Sequence, residues 1–247
     1  THSLMPPPQA PTSGNSSSSD ELVIVELDVN PVLEISRLDL VTPSGVCLAK
    51  GVPVRVDREH RLQITGPNAA GKTSLVRIIA GLWRPSGSTH ISIHGGEVAV
   101  VPQKMYSVHG SLLDQVTYPV KIDAKVATEA LLEKARVLLE LVGISYLVDR
   151  DGGWHAEQKF EDVLSLGEQQ RLGMARLFFR NPAFAILDEC TDAVSVDVEK
   201  KLYAAAAERG IICITVSKRL VLNEFHDQEL RLGPHLGPNG CKLVKVS

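Results

Sequence analysis

Eight residues constrain this chain more than any others. They are Gly66-Pro67-Asn68-Ala69-Ala70-Gly71-Lys72-Thr73, and they fit the pattern G-x-x-x-x-G-K-[ST]. Arg61–Thr65 ahead of them reads as a buried strand, and Leu75, Ile78, Ile79 and Leu82 behind them recur at helical spacing. A strand, a glycine-bearing loop and a helix N-terminus in that order aim backbone N–H groups and the positive end of a helix dipole at one point. Such a point is a cradle for phosphate. Lys72 would reach the β- and γ-phosphates, and the hydroxyl of Thr73 would hold Mg²⁺. Ser74 and the loop residues Gly66, Pro67, Asn68, Ala69, Ala70 and Gly71 would complete the contact. A Gly/Ala turn can match the pattern by chance, but the flanks argue against that here. The loop specifies a nucleotide and nothing more about its use.

The rest of the chain narrows the class. Its 247 residues are 44% apolar, enough to bury a core. Helix-period and strand-period segments alternate, which favours an α/β fold. The formal net charge of −3 argues against a nucleic-acid binder. No apolar run approaches the ~18 residues of a membrane-spanning helix. Cys47, Cys190, Cys213 and Cys241 are scattered with no C-x-x-C pair, which predicts reduced, buried structural thiols. Residues 1–21, rich in Pro, Ser, Gly and Thr, lack the apolar surface to fold and read as a linker. They show no basic stretch followed by an apolar core, hence no signal peptide. Their composition predicts a piece of a longer polypeptide with something upstream.

From residue 22 onward a single domain is expected. Leu22–Leu27, Leu33–Val41, Val46–Ala49 and Val54–Val56 read as short strands, with a hairpin turn at Thr42-Pro43-Ser44-Gly45. No Phe, Tyr or Trp occurs before Trp83, so no aromatic ring from this layer can stack on a nucleobase. Val41 and Pro43 are the nearest apolar substitutes. Ile91–Ile93 and Glu97–Val101 read as strands, and Val101-Pro102-Gln103 ends the second in a polar residue. Gln103 would carry an amide oxygen to Mg²⁺ or to an attacking water. Residues 110–180 turn helical, with Leu131, Ala135, Leu138, Leu139 and Val142 on one face and Gly143 as a C-cap, which predicts an inserted helical subdomain.

Two further stretches carry chemistry. Leu164-Ser165-Leu166-Gly167-Glu168-Gln169-Gln170-Arg171 offers a hydroxyl and free N–H groups at a helix start, a second anion site. Ser165 with Glu168 also spells a capping box, and the two readings are compatible. Phe184-Ala185-Ile186-Leu187-Asp188-Glu189 is an apolar strand ending in two carboxylates. Asp188 would hold Mg²⁺ and Glu189 would orient or deprotonate water. Ile211–Val216 is one more buried strand, ending in Ser217-Lys218-Arg219. Glu229–Leu232 and Leu243–Val246 around Gly237-Pro238-Asn239-Gly240 read as a hairpin.

Taken together, GPNAAGKT, VPQ, LSLGEQQR, ILDE and the Asp192–Asp197 segment resemble, in order and spacing, the ATP-binding cassette (ABC) ATPases. Leu40-Val41-Thr42-Pro43, Gly81-Leu82-Trp83, Gly152-Gly153-Trp154 and Leu187-Asp188-Glu189-Cys190-Thr191 look most like the peroxisomal half-transporter subfamily, subfamily D. The resemblance covers roughly residues 32–235 and implies a RecA-like P-loop NTPase core. To that core are added an N-terminal antiparallel β-subdomain and an inserted α-helical subdomain. It implies ATP and Mg²⁺ as cofactors, Gly66–Thr73 as Walker A and Gln103 as the Q-loop residue. Ser165, Gly167 and Gln169 would belong to a signature that caps the ATP of a second cassette in a head-to-tail dimer. Asp188 becomes the Walker B residue, Glu189 the catalytic base, and Lys218 the residue at the switch position. It further implies an upstream transmembrane domain, the cytosolic face of a peroxisome-type membrane, and fatty acids or their CoA esters as cargo.

Four residues depart from the family pattern. Leu166 replaces a signature Gly, and its Cβ is expected to restrict φ. Asp192 replaces a Ser and adds charge. Ala69 replaces a Walker A Gly. Lys218 replaces a His and cannot accept a proton; pairing with Glu189 would weaken that base. Three functions are therefore carried forward. The first is a transport ATPase cassette, and the second is a weakly hydrolysing regulatory cassette that binds ATP and dimerises. The third, a soluble ABC protein acting on DNA or ribosomes, is disfavoured by the net acidity.

Overall fold

The computed structural model describes residues 30–87, 89–122, 126–150 and 152–246. The linker expected at 1–21 and the strand read at Leu22–Leu27 lie outside them. Two sheets organise the described residues. The smaller is antiparallel, β1 (Val32–Val41), β2 (Cys47–Val56) and β4 (His90–His94), in the order β2-β1-β4. The larger has six strands in the order β5-β6-β7-β3-β8-β9. They are β3 (Leu62–Thr65), β5 (Val98–Val101), β6 (Phe184–Asp188), β7 (Ile212–Val216), β8 (Gln228–Leu232) and β9 (Cys241–Lys245). All pairings in it are parallel except β8–β9, the hairpin the tail predicted.

Period-2 alternation on buried strands builds two cores, one on each face of the large sheet. Phe184 and Ile186 of β6 point to one face, with Leu62, Ile64, Ile212 and Ile214. There they meet the inner face of the small sheet and helix α1 (Lys72–Ile79). Ala185 and Leu187 point to the other face and meet the helical block. That block holds α2 (Leu112–Thr117), α3 (Glu129–Leu141), α4 (Phe160–Val163) and α5 (Leu166–Arg180); α6 (Val196–Glu208) follows β6. The face read on α3 is buried at Ala135, Leu138 and Leu139, with Val142 beyond its end. Gly143, at φ 73°, closes the helix: its N–H donates to Glu140 O at 2.9 Å, and Ile144 N–H donates to Leu139 O at 2.8 Å. Helix α5 crosses from the helical block onto the sheet because Gly173 has no side chain; a Cβ there would come within 3.3 Å of Val101 Cγ1.

Three local readings are corrected. Val46–Ala49 and Val54–Val56 are parts of one strand, β2, interrupted in register rather than ended. Gly51, at φ 61°, donates its N–H to Asp39 Oδ1 at 2.9 Å and forms an irregularity inside the strand. Pro53 is tolerated because β2 is the sheet edge. Leu82 is not part of the α1 face: the helix ends at Ile79, Gly81 turns at φ 71°, and Leu82 is 71% exposed. Of the thiols, Cys190 and Cys213 are buried as expected, while Cys47 is exposed and Cys241 half-buried.

Candidate functional site

Parallel pairing fixes where the chemistry lies. Ile64 and Asp188 both pair with Val216, and Val101 pairs with Leu187. The carboxyl ends of β3, β7, β6 and β5 therefore share one sheet edge, the edge where open α/β sheets bind ligands. The segments leaving those ends are Gly66–Thr73, Ser217-Lys218, Asp188-Glu189 and Pro102-Gln103. Residues up to 150 positions apart in sequence meet there, as in the Lys218–Asn68 contact.

The loop has the backbone its sequence promised. Gly66 (φ 145°) and Gly71 (φ 103°) occupy conformations disfavoured for other residues. A Cβ on Gly66 would collide with the Leu232 carbonyl, and one on Gly71 would sit 2.7 Å from Leu40 Cδ2. Lys72 folds back over the loop, donating to the Gly66 and Pro67 carbonyls at 3.0 and 3.1 Å. Burial, and then the like charge of Lys218, pull its ammonium below the ordinary range; Glu189 and Asp188 oppose them. Thr73 and Ser74 continue into the first turn of α1 and line a cavity of about 360 Å³ beside the loop. Ala69 adopts φ 61°, a left-handed conformation that costs an L-residue roughly 1–2 kcal/mol.

Opposite the loop lies the carboxylate pair. Burial, then the charge of Glu189, push the Asp188 carboxyl above its ordinary value, with Lys72 and Arg77 pulling it back. Glu189 has φ 48°, a strained left-handed backbone. Its N–H donates to Val216 O at 3.0 Å, and its Oε2 accepts from Gln103 Nε2 at 3.0 Å. These contacts hold the side chain at the sheet edge. The oxygen donors Thr73, Gln103 and Asp188 suit a hard cation such as Mg²⁺. Among the described residues no three His, Cys, Asp or Glu side chains form a metal-binding group.

Four expectations about the site change. Lys218 does not pair with Glu189: its Nζ donates to Asn68 Oδ1 in the loop at 3.0 Å. Leu166 is the first residue of α5 and does not adopt a positive φ, so its Cβ does not distort the turn; it presents a half-exposed apolar side chain instead. Gln169 is turned inward, donating to the Leu164 and Glu161 carbonyls at 2.9 and 3.2 Å, so it supports the turn from beneath. Val41 and Pro43 line a separate cavity with Trp83, while Thr42, Ser44, Val46 and Leu48 line the one beside the loop.

Ser165 is exposed at the start of α5 in a complete capping box. Its hydroxyl accepts from Glu168 N–H at 3.3 Å and donates to Glu168 Oε2 at 2.6 Å. Tyr146 OH donates to the other carboxylate oxygen at 2.6 Å. Although burial opposes it, the hydrogen bonds from Ser165 and Tyr146, with the charge of Arg150, hold the Glu168 carboxyl down at about 2. Gly167 is small because Ala193 O lies 3.0 Å from where its Cβ would be.

Sequence reading missed the clamp that connects these parts. Arg219 Nη1 donates to Glu199 Oε2 at 2.9 Å, and Nη2 donates to Asp192 O at 2.6 Å. Glu199 is fully buried and accepts from Thr191 Oγ1 at 2.6 Å. Gln170 Oε1 accepts from Ala193 N–H at 2.8 Å. The segment 191–195 is thereby fixed to both the switch loop and α5. Asp192 lies beside Glu189, and burial, then that charge, raise its carboxyl while Arg219 opposes them. The burial of Glu199 and its place on α6 appear only in the fold, so no signal in the sequence named this clamp.

A glycine-cradled loop, a reaching lysine and an acidic strand end on one edge of a parallel sheet define a nucleoside-triphosphate-binding α/β domain. The ABC transporter family model matches residues 49–192, and the chain belongs to that family. It is 42% identical over 230 residues to ABC transporter D family member 1 of Arabidopsis thaliana, covering 83% of this chain and 17% of that protein. It is 39% identical over 210 residues to ATP-binding cassette sub-family D member 3 of Mus musculus, covering 83% and 31%. A lysosomal cobalamin transporter of Homo sapiens matches at 38% over 206 residues, covering 80% and 34%. The chain thus spans between 17% and 34% of the length of these relatives. In fold it is similar to a bacterial Atm1-family ABC exporter with ATP bound, at TM-score 0.69 and 21% identity over 83% of this chain and 37% of the other.

Proposed function

We propose that this chain is the ATP-binding and ATP-hydrolysing cassette of a membrane half-transporter. It would work as one half of a cassette dimer and power movement of fatty acids or fatty acyl-CoA across a peroxisome-type membrane, from its cytosolic face. The observation that carries this reading is the convergence of Lys72, Asp188, Glu189 and Gln103 on one sheet edge. The N–H groups of the loop and Lys72 bind the triphosphate. Thr73, Gln103 and Asp188 would hold Mg²⁺, which would supply charge neutralisation to the triphosphate. Glu189, held by Gln103, accepts the proton of the attacking water. Ser165 and Gly167, at the N-terminus of α5, would close over the nucleotide of the second cassette. An apolar groove of about 370 Å³, lined by Val100, Met105, Tyr106, Tyr118 and Arg176, offers a seat for a segment of the transmembrane part. The cargo class rests on the resemblance of the sequence motifs to the peroxisomal half-transporter subfamily; the lysosomal cobalamin transporter among the relatives supplies the competing cargo.

Glu189→Gln tests the chemistry. The variant is expected to bind ATP like the parent and to lose turnover by roughly 10²–10⁴-fold. Equal turnover in parent and variant would remove Glu189 from the reaction. The cargo is tested with the chain joined to its membrane part: stimulation of ATPase by long-chain acyl-CoA supports this reading, and stimulation by cobalamin alone contradicts it. The second reading, a slow regulatory cassette, is favoured by Lys218 in contact with Asn68, and a parent that binds ATP without measurable turnover would establish it.

A further inference from the structure

Lys218 reaches the glycine loop because of how the segment after β7 is held. Ser217 N–H donates to Ile64 O at 3.4 Å, which carries the chain one step past β7 beside β3. Gln63, on β3 and 1% exposed, donates from Nε2 to Ser217 O at 3.3 Å and to Arg219 O at 3.4 Å. One buried amide, on the strand that leads into the glycine loop, therefore grips the two carbonyls that flank Lys218.

Arg219 sets the direction of its neighbour. Its backbone is extended, at φ −78° and ψ 114°. Successive side chains of an extended chain point to opposite sides. Arg219 points toward α6 and the 191–195 segment, where its guanidinium donates to Glu199 Oε2, Asp192 O and Val194 O at 2.9, 2.6 and 3.3 Å. The planar fork of a guanidinium can serve these acceptors together, which a lysine ammonium in its place could not do with the same geometry. Glu199 has no exposure, so the acidic end of the clamp has no water to replace Arg219. Lys218 is consequently turned the other way, and its Nζ meets Asn68 Oδ1 in the loop at 3.0 Å. Its charge is felt at Lys72.

Resting on the reading of Gly66–Thr73 as the nucleotide site, we propose that Arg219 is a positioning residue for triphosphate binding. Clamped by Glu199, it aims the Lys218 ammonium into the phosphate cradle, where Lys218 adds a second cation to Lys72. Arg219 acts through Lys218, its own Nη donors being engaged in the clamp. Calorimetric titration of the 247-residue chain with Mg²⁺-ATP at low ionic strength, where a cation's contribution is least screened, tests it. Lys218→Ala is expected to weaken binding by roughly fivefold, and Arg219→Met by nearly as much. In the Lys218→Ala background, Arg219→Met is expected to add less than about twofold, because nothing is left to aim. A loss of the same size in both backgrounds would make Arg219 a general support of the fold and overturns the proposal. Arg219→Met strands the Glu199 carboxylate, so the cycle is repeated with Glu199→Met and Arg219→Met together, which removes both charges. The paired replacement is expected to show the same pattern, and ATP binding unaltered by it overturns the proposal. A Lys218→Ala variant that binds as tightly as the parent also overturns it, while leaving the loop as the nucleotide site. Undiminished binding in Lys72→Ala, or no binding by the parent, brings down the loop assignment as well.

Discussion

At the level of single residues, the departures from the family pattern act through charge and backbone conformation rather than through lost contacts. Lys218 donates to Asn68 and adds a like charge beside Lys72. An ammonium has three donors and no acceptor, so it cannot relay a proton, whereas neutral imidazole can. Lys218→His is expected to raise single-turnover hydrolysis by about tenfold or more, part of the ~10²–10⁴ that positioned acid–base groups contribute. ATP affinity should fall slightly with the lost charge, and an equal or lower rate would show that Lys218 does not limit the site. Ala69 makes a different case: its φ of 61° is one that glycine adopts without strain. Ala69→Gly is expected to stabilise the fold by about 1 kcal/mol in urea unfolding, because the left-handed penalty disappears. A loss of stability would mean that the Ala69 methyl packs more favourably than its backbone is strained.

At the level of elements, β7 and the loop after it carry the site on a buried polar support. His226 is 4% exposed beneath β7. Its Nε2 lies 2.8 Å from Thr215 Oγ1 and its Nδ1 lies 2.7 Å from Leu222 O. Burial, with help from the Arg61 charge, pulls the imidazole down to about 4 from an ordinary value near 6.5; Leu222 O and Asp227 oppose this. The folded state therefore holds His226 neutral, while the unfolded chain protonates it near pH 6.5. Its contribution is complete above pH 6.5 and is lost as the pH falls toward 4, to a total of about 3 kcal/mol. Urea unfolding at pH 7.5 and 4.5 should show this loss. His226→Gln should be less stable at pH 7.5 and should lose less on acidification; the same pH dependence in both proteins would assign the effect to other groups. This element also shows the limit of pattern reading. The strand was legible as Ile211–Val216, but which face of it would carry a buried histidine depends on packing against Tyr203, whose ring lies 6.0 Å from the imidazole.

At the level of the whole molecule, three exposed apolar side chains sit beside the segments joined by the Arg219 and Gln170 contacts. Leu166 (52% exposed) follows Ser165, Val196 (46%) begins α6 after the 191–195 segment, and Leu220 (79%) follows Arg219. A second cassette seated over the nucleotide would cover them. Analytical ultracentrifugation of Glu189→Gln with Mg²⁺-ATP is expected to show dimers, and monomers without nucleotide. Adding Leu166→Asp should weaken that dimer by roughly tenfold or more while leaving ATP binding intact, because one buried unpaired charge costs at least about 1.4 kcal/mol. Dimers that persist unchanged would place the interface elsewhere.

Much of what is encoded locally was legible in the sequence, although the end of α1 ahead of Leu82 was not. The glycine loop, the capping box at Ser165–Glu168, the C-cap at Gly143, the apolar strand ending in Asp188-Glu189 and the α/β alternation all depend on neighbours in the chain. Tertiary structure decided what depends on pairing between distant strands. The order β5-β6-β7-β3 brings Gln103 to Glu189 across 86 positions, and Lys218 to Asn68 rather than to Glu189. It also assembled the Arg219–Glu199 clamp, whose partners come from the loop after β7 and from α6. The reason is physical: side-chain partners are chosen by which groups share an edge of the folded sheet, and no local spacing records that choice.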